Sequence, residues 1–333
     1  MSPLRNSTAI AVKALHDVGD SRRKALAVAK DLGFDETEAG KVALVVTEFA
    51  TNLVKHGGGG TIVLRGLAAG GRNGVEVMSL DKGSGMDVEL CLRDGYSTSG
   101  SPGTGLGAVG RIAHSFQLYS VPGKGTTLVA VLWDAGRAPE TNDDVGAVCL
   151  PMSGETRCGD SWAVDVTRNR IRMMVCDGLG HGNSAADVGD IANALFATLG
   201  GLAPGAFITA LNDNLRSTRG AALAVADIDL DKNRLVFAGI GNIGGYVFTG
   251  TRSRGMVSLN GIVGHQLRKV TEFSYDCDPG DLILMHSDGL TNHWKFEDYP
   301  GLAHRPAGVV AATFYRDFSR HKDDATILTL RRP

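Results

Sequence analysis

RIRMMVCDGLGHG, Arg170 to Gly182, begins as an apolar run and breaks at an aspartate followed by three glycines in five residues. Such a run predicts a buried strand, and the glycines allow the main chain to come close to a ligand. Asp177 therefore stands at a strand end, with the carbonyl of Gly178 beside it. The pattern recurs through the rest of the chain: CGD ending at Asp160, SDG around Asp288 and DDAT from Asp323 each lie at or just beyond a strand-like segment. A lone Asp-Gly pair is an ordinary turn, but four in an ordered series can converge. Hard oxygen donors favour Mg2+ or Mn2+, and two such ions sharing a water can lower its pKa and deliver it to a phosphate. Asp160, Asp177, Gly178, Asp288 and Asp323 are the candidate metal ligands. Arg157 could hold a substrate phosphate through its guanidinium.

The segments SWAVDV, RIRMMVC, AALAVADIDL, RLVFAGI, YVFTG, EFSYDC, DLILMHS and ATILTL read as strands, interrupted by helical patterns at about 184–200, 204–217 and 306–320. That order fits two packed sheets flanked by helices. His265 and His286 are read as structural, and His181 as metal-near or rim. Cysteines at 91, 149, 158, 176 and 277 form no C-x-x-C pair, so they suggest reduced, partly buried thiols rather than a disulfide or zinc framework. Cys158 and Cys176 are read as small strand residues.

The first third has a different chemistry. A short strand near Thr8 to Val12 precedes a helix near Arg22 to Leu32, and a second helix starts at Asp35, where Glu38 completes a capping-box-like pattern. Val42, Val45, Val46, Phe49 and Leu53 mark its buried face. Glu48 and Asn52 lie one turn apart, able to hold Mg2+ and a water, with Glu48 able to accept a proton from an attacking hydroxyl. In DKGSG, Asp81 offers an acceptor for an exocyclic amine while Gly83 and Gly85 admit a planar base. The run DGYSTSGSPGTGLGAVG, 94–110, reads as a mobile lid whose Gly103, Gly105 and Gly107 present N–H groups to phosphates. Helices on one mixed or antiparallel sheet are expected.

Between these regions, DAGRAPETNDD at 134–144 reads as a solvated linker, giving domains at 1–134 and 145–333 joined by 135–144. Lys plus Arg total 34 against 36 Asp plus Glu, and residues 1–136 hold 14 basic against 13 acidic side chains. Neither half has the excess of a nucleic-acid binder. No stretch of about 18 apolar residues occurs, so the expectation is a cytoplasmic protein without membrane partners.

Glu48 with Asn52, DKGSG and GTGLG together resemble the GHKL (Bergerat) ATPase fold of histidine kinases and anti-sigma serine kinases. DGYSTSG and VPGKGTTLVAVLW are most similar to its RsbT-type stressosome switch-kinase branch. The resemblance implies Glu48 as base, Asn52 as Mg2+ ligand, Asp81 as adenine contact with Thr126 adding another, and Gly103, Gly105 and Gly107 as the phosphate loop. CGDSW, DGLGHG, SDGLT and KDDATILTL resemble the PP2C-like (PPM) phosphatases in their compact SpoIIE/RsbX branch. There Asp177 bridges both metals, Gly178 binds one by its carbonyl, and Asp160, Asp288 and Asp323 complete the shells directly or through water; the role of Asp324 is left open. The implied protein is α+β, a GHKL α/β sandwich followed by an α-β-β-α sandwich. It is a bifunctional kinase and phosphatase using ATP, Mg2+ and two Mn2+ or Mg2+ ions on STAS-domain partners. The alternative is a phosphatase whose first domain is a non-catalytic, ATP-gated docking module.

Overall fold

The computed structural model describes residues 7–86, 105–134, 138–139, 144–250 and 252–333, and the chain divides into two compact units at 141/142.

In the first unit, β1 (Ser7–Val12), β2 (Gly60–Ala69), β3 (Arg72–Leu80), β4 (Ser115–Val121) and β5 (Gly125–Trp133) form an antiparallel sheet in the order β1-β2-β3-β5-β4. Alternate residues such as Ile62, Leu64, Val75 and Val77 enter one core, as a period of two requires. Against them pack α1 (Leu15–Asp31) and α2 (Glu36–Asn52), and α3 (Gly105–Ile112) follows. All five residues of the expected α2 face are fully buried. Asp35 caps α2 by accepting from the Glu38 N–H at 2.8 Å. The reciprocal half of the capping box does not form, because the Glu38 carboxylate pairs with Lys41 at 2.7 Å. Helix α1 starts a turn or more before the expected Arg22, since the Asp17 carboxylate accepts from the N–H groups of Lys13 and Ala14 at 2.8 and 2.9 Å and closes an early turn. After Asn52 the chain widens into a π turn, Leu53–Gly57.

The second unit holds two sheets. One runs β13-β10-β9-β8-β7, with β14 also on β10, and the other β12-β11-β15-β16-β6. Their strands are β6 (Asp144–Leu150), β7 (Asp160–Val166), β8 (Arg170–Gly178), β9 (Ala221–Asp229), β10 (Arg234–Ile240), β11 (Gly244–Thr249), β12 (Arg252–Gly255), β13 (Ser258–Leu259), β14 (Phe273–Asp276), β15 (Leu282–His286) and β16 (Ala325–Arg331). Ile171, Met173 and Val175 of β8 join Ile283, Met285, Leu328 and Leu330 between the sheets. The alternate Met174 and Cys176 face α4 (Asn183–Thr198) and α5 (Pro204–Leu215). Helix α6 (Ala307–Phe318) packs on β6 and β16. The result is the expected α-β-β-α sandwich. Asp144, read as the last linker residue, instead opens β6; its carboxylate accepts from the Ala307 N–H at 2.9 and 3.0 Å. No described helix is long and apolar enough to cross a membrane.

Candidate active sites

In the second unit, adjacent strands bring the acidic residues to one edge. Asp160, first in β7, is the register partner of Asp177 near the end of β8. Asp288 follows β15, and Asp323 and Asp324 precede β16, the neighbour of β15. Each carboxylate is held differently. Asp160 is buried and accepts from Ser287 Oγ at 2.5 Å, while that hydroxyl accepts from the Thr326 N–H at 3.0 Å. Asp288 accepts from Asn242 Nδ2 at 2.6 Å. Asp323 accepts from the Asp324 N–H at 2.9 Å. Asp324 accepts from Met152 N at 2.7 Å and Gly159 N at 2.9 Å, which ties the CGD loop to the start of β16.

Crowding leaves its mark on proton affinity. Burial, then the charges of Asp288, Asp323 and Asp324, push Asp177 up to about 7. Burial and the neighbouring Asp177 raise Asp160 well above the usual carboxylate range, and burial with the Asp323 charge raises Asp288. Carboxylates that repel one another in this way are stabilised by a cation. Among the described residues no three or more carboxylate, imidazole or thiol side chains stand, as they are placed, in a group that could hold a metal ion by themselves. The donors are hard oxygens on separate strand ends, so a cation here would retain water in its shell, as Mg2+ does. Gly178 needs to be glycine: a Cβ would stand 2.4 Å from the Ala185 carbonyl oxygen.

Arg157 is already paired within the second unit. Its two terminal nitrogens donate to Asp187 and Asp190 of α4, both at 2.7 Å, so a phosphate would have to displace two carboxylates to reach it. His181 donates to Glu155 at 2.7 Å on the rim. His265 donates to the Thr218 carbonyl at 2.9 Å, a structural contact. His286 is buried in an aromatic group with Tyr246 and Trp294 and donates from Nδ1 to the Ser287 carbonyl. Cys158 and Cys176 are buried thiols.

In the first unit, Glu48 and Asn52 lie one turn apart on α2, and a Cβ at Gly105 would stand 2.7 Å from Glu48 Oε2. The Glu48 carboxylate thus reaches the first turn of α3, which contains Gly107; Gly103 lies outside the described residues, as does most of the expected lid. Beyond Asn52, the π turn brings Gly57 against Asp81, where a Cβ would stand 2.8 Å from Asp81 Cβ. Asp81 Oδ1 accepts from Gly83 N at 2.9 Å and Thr126 N at 3.2 Å, so Asp81 and Thr126 form one small cluster. Gly85, at φ 71°, would place a Cβ 2.4 Å from the Val121 carbonyl oxygen, which explains why the turn takes glycine.

Comparison with known proteins finds relatives of both units. The stage II sporulation protein E (SpoIIE) family matches residues 167–333, half of the chain. The chain belongs to the SpoIIE family. Its first unit carries a histidine kinase-like ATPase domain, matched over residues 12–133. The serine/threonine-protein kinase RsbT of Bacillus subtilis (strain 168) is 31% identical over 131 residues, covering 39% of this chain and 98% of RsbT. The phosphoserine phosphatase RsbX of the same organism is 21% identical over 142 residues, 42% of this chain and 71% of RsbX. A solved chain from work on the bacterial stressosome, a modular system adapted to control secondary-messenger signalling, superposes with TM-score 0.54 at 26% identity, covering 57% of this chain and all of that one. This SpoIIE-family chain therefore joins a kinase-like ATPase domain to a PP2C-type serine/threonine phosphatase domain. Asn242 and Ser287, which hold Asp288 and Asp160, were not singled out from the sequence. Ser287 sits inside the SDG motif, whereas Asn242 belongs to a Gly-Asn turn whose partner lies 46 residues away.

Proposed function

We propose that the second unit is a Mg2+- or Mn2+-dependent phosphoserine/phosphothreonine protein phosphatase and that the first is an ATP-dependent serine/threonine kinase. Together they act in opposite directions on STAS-domain partners of a bacterial stress pathway. The observation that carries the phosphatase reading is the convergence of Asp160, Asp177, Asp288 and Asp323, with Asp177 pushed up to about 7 by burial and its neighbours' charge. Asp177 is read as the shared ligand of two ions, with Asp160, Asp288, Asp323 and the Gly178 carbonyl completing their shells. Divalent metal bound there would supply positive charge to the phosphoryl oxygens and acidify water. Ser287 and Asn242 keep Asp160 and Asp288 oriented, and preorganised positioning is what such phosphoryl chemistry requires of the protein.

In the first unit, Asp81 and Thr126 are read as the adenine contacts, Gly105 and Gly107 as the phosphate turn, Asn52 as the Mg-ATP ligand and Glu48 as the base. The reach of Glu48 to Gly105 supports the last role. Likeness to RsbT, to RsbX and to a stressosome chain supports the choice of partners. The test is purified full-length protein with a phosphoserine STAS protein, with and without Mn2+. Phosphate release that needs Mn2+ and stops with chelator is expected; release indifferent to chelator contradicts the reading. Incubating the dephosphorylated STAS protein with ATP tests the opposing transfer, which Glu48→Gln should abolish while nucleotide binding persists. Binding without transfer by the parent would instead make the first unit a docking module.

A further inference from the structure

Beside the acidic cluster lies a cleft of about 330 Å³ lined by Leu179, Ala222, Gly241, Asn242, Asn260 and Ile262, within the range of roughly 300–1,000 Å³ typical of ligand pockets. It meets the cluster at two points. Leu179 directly follows Gly178, and Asn242, on the cleft wall, donates to Asp288 at 2.6 Å. Main-chain bonds fix the walls: Leu179 N donates to the Gly220 carbonyl at 3.0 Å, Gly241 N to Leu259 at 2.8 Å, and Ala221 and Val263 bond reciprocally at 3.0 and 2.9 Å. Gly241, at φ 88°, lies so close to Ala222 that a Cβ would stand 2.5 Å from the alanine methyl, so the floor admits no side chain there.

The lining chemistry is selective. No lining side chain is charged, Leu179 is 37% exposed, and Ile262 is only partly buried. The exposed carboxamides of Asn242 and Asn260 offer both donors and acceptors. An apolar wall with amide groups at its rim matches a peptide, whose side chain needs burial and whose main chain needs hydrogen bonds. We propose that this cleft seats the residue flanking the phosphorylated Ser or Thr of a protein substrate, packing an apolar side chain against Leu179 and Ile262 and pairing its main chain with the asparagines. The inference rests on the phosphatase reading and deepens it: the substrate is a phosphoprotein with an apolar residue next to the phosphoester, not a small phosphomonoester.

The test compares three substrates on full-length protein in Mn2+: a glycine heptapeptide with central phosphoserine, the same peptide with leucines flanking the phosphoserine, and p-nitrophenyl phosphate. The parent should favour the leucine-flanked peptide about tenfold in kcat/KM. Ile262→Ala and Asn260→Ala should lose that preference through KM while hydrolysing p-nitrophenyl phosphate at the parental rate. Equal rates of the parent on both peptides, a preference that survives both substitutions, or a parallel loss on p-nitrophenyl phosphate would overturn the proposal. A parent inactive on all three substrates would remove the phosphatase reading itself, and this inference with it.

Discussion

Asp324 is 3% exposed and uses both carboxylate oxygens on main-chain N–H groups, those of Met152 and Gly159. Asp324→Ala leaves the buried Gly159 N–H and the part-buried Met152 N–H without their partner, and a loss of about 1–3 kcal/mol is expected, measured as a lower urea midpoint; a change within experimental error would mean that water replaces the carboxylate without cost. His286 gives a pH signature. Burial lowers its folded pKa to about 4 from 6.5, so between those values the unfolded chain binds the extra proton. Stability contributed by this residue is complete above pH 6.5, declines as pH falls toward 4, and amounts to about 3 kcal/mol. Unfolding free energy followed from pH 7 to 4 should fall less steeply in His286→Gln than in the parent, and identical slopes would refute the assignment. The ordered aspartates were legible in the sequence because each carries its glycine or acidic neighbour at a strand end. Arg157 was not, because Asp187 and Asp190 become its partners only once α4 places them, three residues apart, on the face turned toward it.

Among elements, the α2 to α3 contact separates function from stability. In Gly105→Ala the new Cβ meets the mobile end of Glu48, and alanine favours a helix over glycine by up to about 1 kcal/mol. The melting temperature should hold while phosphoryl transfer falls tenfold or more. Gly125→Ala is the opposite case: its φ is 87° and a Cβ there would stand 2.1 Å from the Asp81 carbonyl oxygen, both backbone constraints, so stability and ATP affinity should fall together. Thermal unfolding and nucleotide titration of the two variants check the contrast, and equal melting temperatures would contradict it. Elements with strong periodicity, such as β8 and α2, were visible in advance. The strand β6 was missed because it begins inside linker-like composition and is defined by pairing with β16. The short β12 and β13 likewise exist through their partners β11 and β10, not through any local pattern.

For the whole molecule, two ordered motif sets in one chain made the fusion readable, since each set requires its own fold, and the chain divides at 141/142 into units with separate cores. Fragments 1–141 and 142–333 should each unfold cooperatively; failure of either to fold alone would show that the units depend on one another. The acidic edge of the second unit is proposed as a metal-dependent phosphatase centre organised around Asp177. Removing a carboxylate shared by two ions should cost several kcal/mol of transition-state stabilisation, about 1,000-fold or more in rate. The direct measurement is phosphate release from a phosphoserine STAS protein against Mn2+ concentration, for parent and Asp177→Asn, with ATP binding recorded in parallel. The account predicts Mn2+-dependent turnover in the parent, near-complete loss in Asp177→Asn at every Mn2+ concentration, and unchanged ATP affinity. Near-parental turnover by Asp177→Asn would reduce these aspartates to turn residues and contradict it.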